Sequence, residues 1–214
     1  MKRYLLPVLL CGAFLACRSG KKDSEGSVPP TAIDSFLITD SSWGPIGPNS
    51  QRADLDRYFG KDQTRDERIC GPECADSLDV TQVYPDTDRA FTIYWADSQY
   101  HRQIDLIRVM GERSRWHTAD SVTIGTRLDK LVRLNGGPLS FWGFGWDYGG
   151  YVSGFNGGNW ENTRIGLRLD IDGTVEDGSL YGDTQLGSDR PSIQKIQDRI
   201  RVTELSLRMR PVRL

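Results

Sequence analysis

The chain contains 214 residues, of which 37% are hydrophobic, with 7 Phe, 6 Trp and 8 Tyr, so it can bury one ordinary core or two small ones. Its 27 basic and 29 acidic residues leave a net charge of −2 at pH 7. This slightly acidic balance argues against nucleic-acid binding, which requires a basic face.

The N-terminus is typical of an export signal. Lys2 and Arg3 precede an apolar run over residues 4–16 that is too short to span a bilayer comfortably. The run ends in Phe14-Leu15-Ala16-Cys17, which resembles the lipobox of bacterial lipoproteins, with Phe14 in place of the usual leucine. The resemblance implies that residues 1–16 are a cleaved signal peptide and that Cys17 is acylated. An ordinary signal peptide is the alternative, but the sequence lacks the pair of small residues that its cleavage site needs.

Residues 17–31 are predicted to be a flexible tether, because Val28 is the only apolar side chain after the cysteine before Pro29. Removal of the signal would leave 25 basic and 29 acidic residues, or −4. Arg18 replaces the aspartate that retains many bacterial lipoproteins at the inner membrane. Because lipoproteins without this aspartate are usually sent onward, we expect the protein to lie in the cell envelope, anchored by lipid to the outer membrane.

The folded part begins with a predicted helix over residues 50–60, between a hydroxyl N-cap at Ser50 and a C-terminal glycine. Cys70 and Cys74 follow. In an oxidising compartment, two remaining cysteines most simply form a disulfide. A Cys-x-x-x-Cys metal half-site is the rival interpretation, although the sequence has no second cysteine pair and no nearby histidine.

Two alternating apolar runs, Phe91 to Trp95 and Ile104 to Met110, predict strands with one buried face. A second helix is predicted over residues 126–136, where Thr126 and Asp129 form a short capping box. Strands are again predicted over residues 167–171 and from Val202 to Met209. The Gly-, Asp- and Ser-rich residues 172–192 between them are predicted to be a surface insertion.

These elements suggest an internal repeat with an offset of 76 residues. Leu55 and Tyr58 of the first helix correspond to Leu131 and Leu134 of the second, so each helix would bury the same stripe. The expected fold is α+β, with two tandem helix-plus-antiparallel-sheet units at residues 32–110 and 111–214. Chance similarity of two short amphipathic helices is the alternative.

Residues 141–160 contain eight aromatic residues and seven glycines. Trp142, Phe144 and Trp146 alternate with glycines, so on a strand they would share one face. If that face is exposed, the candidate binding residues are Trp142, Trp146, Asp147, Tyr148 and Trp160, and the polar groups that would assist the rings are on Asp147, Tyr148 and Asn159. The alternative is that the aromatic residues belong to the core, against the second helix.

The stretch Ile124-Gly125-Thr126, Leu131, Leu134 and then Asn135-Gly136-Gly137-Pro138 is similar to the small lipoproteins of the outer-membrane β-barrel assembly machinery. Their superfamily includes the β-lactamase inhibitory proteins, which are tandem helix-and-sheet repeats. Residues 143–150, Gly-Phe-Gly-Trp-Asp-Tyr-Gly-Gly, also resemble a segment of uncharacterised bacterial envelope lipoproteins. The superfamily resemblance implies a domain that binds other proteins without catalysis.

No catalytic or metal-binding motif is found in the sequence. The two histidines, His101 and His117, do not form a zinc-binding pattern, and neither a nucleophile elbow nor a phosphate-binding glycine loop occurs. We therefore expect no cofactor and no enzymatic activity. The expected function is binding of another envelope protein, and the alternative is a glycan- or peptidoglycan-binding module that uses the aromatic face.

Overall fold

The computed structural model describes residues 34–71, 74 and 76–210. The predicted signal peptide, Cys17 and the whole predicted tether fall within residues 1–33, which lie outside the described residues. The described residues belong to one compact unit that begins at Asp34. Within the described part, no helix is long and apolar enough to cross a membrane.

The described residues form a β-rich α+β fold. The α-helices are α1 (Arg52–Phe59), α2 (Leu128–Asn135) and α3 (Pro191–Gln194). The strands are β1 (Leu37–Ile38), β2 (Thr64–Cys70), β3 (Ser77–Val83), β4 (Phe91–Trp95), β5 (Ile104–Met110), β6 (His117–Thr118), β7 (Ser140–Trp142), β8 (Val152–Gly154), β9 (Ile165–Ile171), β10 (Gln185–Gly187) and β11 (Ile200–Arg208). The α+β class predicted from the alternating strands and short helices is confirmed.

The main sheet has six antiparallel strands in the order β2-β3-β4-β5-β11-β9. Strand β5 pairs with β11, so that Val109 lies opposite Leu205 and Ile107 lies opposite Leu207. All four side chains are buried. This pairing joins the strands that precede α2 to those that follow it.

A smaller antiparallel sheet, in the order β10-β7-β8, lies beside β9. The backbone N–H of Leu169 donates to the carbonyl oxygen of Gly150 at 2.8 Å, and Tyr151 forms an isolated bridge with Arg168. Strands β1 and β6 form a separate two-stranded parallel pair. The small sheet is thus linked to the edge strand β9 of the main sheet at Gly150 and Tyr151.

One core lies beneath the main sheet. Leu55 of α1 and Leu131 of α2 are fully buried in the same cluster as Phe91 and Ile93 of β4. Trp116 forms the centre of its aromatic part: its ring lies 4.9 Å from that of Phe91, and its Nε1 donates to the carbonyl oxygen of Arg89 at 2.9 Å. The alternation in β4 thus reflects one buried face, as its sequence predicts.

The helix starts differ from the prediction by one residue. The N-cap residues are Gln51 and Arg127 rather than Ser50 and Thr126. Each hydroxyl instead accepts a hydrogen bond at 3.0 Å from an N–H three residues earlier, so it closes the turn before the helix. The predicted Thr126–Asp129 capping box is therefore wrong, and Asp129 instead pairs with two arginines.

Two predictions about burial also fail. Tyr58 is 39% exposed, while Leu134 is partly buried, so the two helices do not bury the same stripe beyond Leu55 and Leu131. The segment 172–192 is not merely a surface insertion: it supplies strand β10, which pairs with β7, and it buries Leu180 and Leu186. The polar composition of the segment gave no sign that the two leucines are buried, because residues around β7, about forty positions earlier, pair with them.

Cys70 and Cys74 are joined by a disulfide in the structure, as the sequence predicts. The disulfide links the last residue of β2, an edge strand of the main sheet, to the connection that leads to β3.

Because Leu131 is fully buried, Leu131→Ala should lower the free energy of unfolding by about 2–5 kcal/mol, through lost burial and the cavity left behind. Leu78, which is 36% exposed on β3, provides the control: Leu78→Ala should change stability by about 0.5 kcal/mol. Urea unfolding followed by circular dichroism measures both, and equal losses for the two variants would contradict the assigned core.

Candidate functional site

Four of the five predicted binding residues, Trp142, Trp146, Asp147 and Tyr148, lie at the end of β7 and in the loop that follows it. Strand β7 ends at Trp142, and Phe144 turns inward, 1% exposed, while its backbone pairs with Tyr181 and neighbouring residues. The expectation that Trp142, Phe144 and Trp146 share one face is therefore wrong. The chain leaves the extended conformation at Gly145, whose φ is +79°.

The glycines of this loop permit backbone approaches that no side chain would allow. A Cβ atom on Gly143 would lie 2.6 Å from the carbonyl oxygen of Gly182, and one on Gly149 would lie 2.9 Å from that of Trp146. A Cβ on Gly150 would lie 1.8 Å from the carbonyl oxygen of Leu169. The glycine-rich composition therefore reflects tight packing of the loop against other elements.

Three rings project along this loop, and together we name Trp142, Trp146 and Tyr148 the aromatic ridge. The ring centroids of Trp142 and Trp146 are 6.3 Å apart with an interplanar angle of 88°, and those of Trp146 and Tyr148 are 5.4 Å apart at 64°. Both tryptophans are partly buried, Tyr148 is 55% exposed, and Asp147 is exposed beside it. The indole Nε1 of Trp146 donates to the carbonyl oxygen of Gly143 at 2.8 Å.

Arg168 of β9 stabilises the loop through hydrogen bonds to its backbone. Its Nε donates to the carbonyl oxygen of Gly149 at 2.8 Å, and its Nη2 donates to the carbonyl oxygens of Trp146 and Asp147 at 3.3 Å. Its guanidinium also lies 4.9 Å from the centre of the Tyr151 ring. One charged group thereby satisfies three carbonyls and fixes the backbone that carries the ridge.

Tyr151 connects the ridge to a buried carboxylate. Its hydroxyl lies 3.1 Å from both carboxylate oxygens of Glu204, which is 1% exposed on β11. The Nη1 of Arg108 lies 3.8 Å from Glu204. Burial raises the pKa of Glu204, and the nearby Arg108 offsets part of this effect. Burial, together with the carboxylate of Glu204, also raises the pKa of Tyr151.

Neither Arg168 nor Glu204 is predicted from the sequence. Each lies in a strand whose apolar alternation was recognised, and nothing in the local sequence distinguishes it from a solvated charge. A register shift between Val202 and Glu204 carries this carboxylate to the side of the sheet on which Tyr151 lies. Only the pairing of β9 with β11 brings the two charges together.

Trp160 does not belong to the ridge. Its ring packs against Phe155, with centroids 5.8 Å apart, and its Nε1 donates to Oδ2 of Asp120 at 3.0 Å. The side chain of Asn159 points back to α2, where its Nδ2 donates to the carbonyl oxygen of Leu134 at 2.9 Å. The predicted site is thus divided between two places.

Neither histidine takes part in the ridge. His117 Nε2 lies 2.9 Å from Oδ2 of Asp34, and the ring of His101 stacks on Trp95 at 5.1 Å. In the part of the chain that the structure describes, no group of three or more His, Cys, Asp or Glu side chains is arranged to hold a metal ion.

The raised pKa of Glu204 predicts a pH-dependent contribution to stability. Because the folded pKa lies above the ordinary value of 4.5, this contribution is fully present below the unfolded pKa and is lost as the pH rises through the folded pKa. Glu204→Gln keeps an acceptor for Tyr151 and removes the charge. We therefore expect the wild-type chain to lose stability relative to this variant as the pH rises above about 4.5.

The measurement is the free energy of unfolding in urea across this pH range for the wild type and Glu204→Gln. Glu112→Gln, which changes an exposed glutamate outside the cluster, is the control and should follow the wild type. A stability difference between the wild type and Glu204→Gln that does not change with pH would refute the assignment.

No protein-family model matches the chain, and no curated protein matches it. The crystal structure of the uncharacterised protein yfeY from Escherichia coli is similar over 81% of this chain and 97% of that chain, with 13% sequence identity and a TM-score of 0.46.

Proposed function

We propose that this chain is a lipid-anchored, non-catalytic protein of the bacterial cell envelope that binds another protein through the aromatic ridge. The observation that carries the proposal is the rigid, partly exposed group of Trp142, Trp146 and Tyr148. Tryptophan and tyrosine dominate the binding energy of many protein interfaces. They supply large contact areas with few rotatable bonds to immobilise.

The way in which the ridge is held supports a binding role. Arg168 and the close-packed glycines fix the loop before any partner arrives, so less conformational entropy is lost on binding. The exposed carboxylate of Asp147 would add a polar rim beside the rings.

Glycan binding is the second candidate for the same face. Sugars stack on the flat faces of aromatic rings, and a chain of sugars is best served by rings that lie in similar planes. The nearly perpendicular rings of Trp142 and Trp146 do not form such a platform. The geometry of the ridge therefore favours a protein partner.

The anchor forms the other half of the proposal. Acylation of Cys17 and a polar tether over residues 17–31 would hold the folded part near the outer membrane. A flexible tether raises the effective concentration of a binding module near a partner in the same membrane. The resemblance to small lipoproteins of the β-barrel assembly machinery supports the same arrangement.

We further propose that the folded part arose from two tandem units, residues 32–110 and 111–214. Helices α1 and α2 begin at residues 52 and 128, an offset of 76. The turns before them are closed by equivalent bonds, from Gly47 N to Ser50 Oγ and from Thr123 N to Thr126 Oγ1. The strands on the two sides of the β5–β11 pair also follow a similar order. On one side β5 is followed by β4 and β3, and on the other β11 is followed by β9, with β8 of the small sheet next to β9.

Acylation is tested by labelling growing cells with radioactive palmitate. The wild-type chain should incorporate label, and Cys17→Ala should not, because its lipobox would lack the acceptor thiol. Cys74→Ser removes a cysteine in the folded part and should leave labelling unchanged. Label in Cys17→Ala would contradict the anchor.

Partner binding is tested by placing a photo-crosslinking amino acid at Tyr148 in living cells. Tyr100 is the matched control, because it is 58% exposed but lies far along the chain from the ridge. We expect a discrete protein adduct at Tyr148 and none at Tyr100. Excess soluble wild-type domain should suppress the adduct, whereas the Trp146→Ala domain should do so at least about tenfold less effectively, as for a hot-spot residue.

Equal adducts at both positions, or no protein adduct at Tyr148, would contradict the proposed partner surface. Protection of the Trp142 and Trp146 fluorescence from acrylamide by purified peptidoglycan fragments, without a protein adduct, would instead favour the glycan-binding candidate.

A further inference from the structure

A second concave site lies away from the ridge, and we name it the Trp160 cleft. It has a volume of about 330 Å³ and opens between the ends of β1 and β6, the loop over residues 158–163 and the start of β9. Its volume is at the lower end of the range typical of small-molecule sites. Ile38, Ile165 and Leu167 form its apolar floor.

The wall of the cleft is fixed by a buried amide. Asn135, at the end of α2, is fully buried, and its Nδ2 donates to the carbonyl oxygen of Phe155 at 2.9 Å. Its Oδ1 accepts from the backbone N–H of Trp160 at 3.3 Å. A Cβ atom on Gly158 would lie 2.3 Å from this amide, so only glycine fits there. These contacts set the position of the indole that lines the cleft.

Three carboxylates surround the opening, and each uses one oxygen within the protein. The bonds are Trp160 Nε1 to Asp120 Oδ2 at 3.0 Å, Thr163 Oγ1 to Asp40 Oδ1 at 2.6 Å, and Gly157 N to Glu161 Oε2 at 2.9 Å. Among the described residues, the second oxygen of each carboxylate has no hydrogen-bond donor. The carboxylates are thereby oriented while each keeps an acceptor for a ligand.

The lining determines which ligand fits. It contains Asp40, Asp120 and Glu161 but no lysine, arginine or histidine. Trp160 Nε1 and Thr163 Oγ1 already donate to two of these carboxylates. This lining favours a ligand that supplies hydrogen-bond donors and positive charge and that covers the apolar floor. The indole adds a ring whose face attracts a cation.

We propose that the Trp160 cleft binds the ammonium group of an alkylamine, with the hydrocarbon chain on the apolar floor. The ammonium group offers three donors to carboxylate oxygens. The same chemistry is present in a free diamine and in a lysine side chain of another protein. The site is independent of the aromatic ridge and of the partner proposed for it.

The test is calorimetric titration of the full-length chain, purified in detergent at low salt. The probes are cadaverine, the amide of N-acetyl-lysine, and two neutral controls, pentanediol and N-acetylglucosamine. We expect an amine to bind, with affinity that falls as salt is added, and the neutral compounds not to bind. Binding of cadaverine would identify a free amine, whereas binding of the lysine amide alone would identify a protein side chain.

Charge-removing variants assign the binding to the cleft. Asp120→Asn and Glu161→Gln keep a carbonyl oxygen for Trp160 Nε1 and Gly157 N, so the loop should remain in place. Each should weaken amine binding about two- to fivefold, as expected for a partly exposed ion pair. Asp62→Asn, at an exposed acid outside the cleft, should not change it.

Absence of amine binding to the wild type overturns the proposal, as does equal binding of pentanediol or undiminished binding in both cleft variants. If Asp120→Asn proves unfolded by circular dichroism, Glu161→Gln decides the question. The outcome is separate from crosslinking at Tyr148, so failure at either site leaves the other interpretation intact.

Discussion

The antiparallel pairing of β5 with β11 is the constraint on which the rest of the structure depends. It joins strands from the two halves of the chain into one sheet and buries Val109 and Leu205 opposite each other at the junction. It also brings Arg108 near Glu204, and through β9 it brings Arg168 close to the same carboxylate. A buried charge is tolerated only where such partners surround it. The packing of the sheet and the support of the ridge therefore share one set of contacts.

Local patterns predicted the elements well where a single face is buried. The alternation of Ile104 to Met110 gives the bounds of β5, and Gly60 and Gly136 mark the ends of α1 and α2. Periodicity succeeds there because burial repeats with the period of the element. The same reasoning failed for Trp142 and Trp146, because the intervening glycines permit turns and close contacts that end the strand. Alternation of aromatic residues with glycine does not, by itself, indicate an extended chain.

The candidate sites were only partly predictable for a different physical reason. The rings of the ridge are conspicuous by composition, whereas the groups that position them are ordinary charges in ordinary strands. Asp40 and Thr163, which form a hydrogen bond at the Trp160 cleft, are 123 positions apart in the sequence. The local sequence around the fully buried Asn135 indicates only the end of a helix. Its role in positioning the Trp160 backbone depends on Gly158 in a later loop. Contacts of this kind depend on topology, which a single sequence does not encode in local patterns.

The participation of residues 172–192 in the small sheet has an evolutionary consequence. This segment provides β10, and it also provides the carbonyl of Gly182 against which Gly143 packs and the Tyr181 ring beside Gly145. The ridge loop and the segment are therefore two parts of one structural module, although they are separated by more than twenty residues. A homologue that had lost the segment would no longer need glycine at position 143, where a Cβ atom would meet only atoms of the segment. Loss or gain of the ridge during divergence should thus be recorded as a paired change in two distant stretches of sequence.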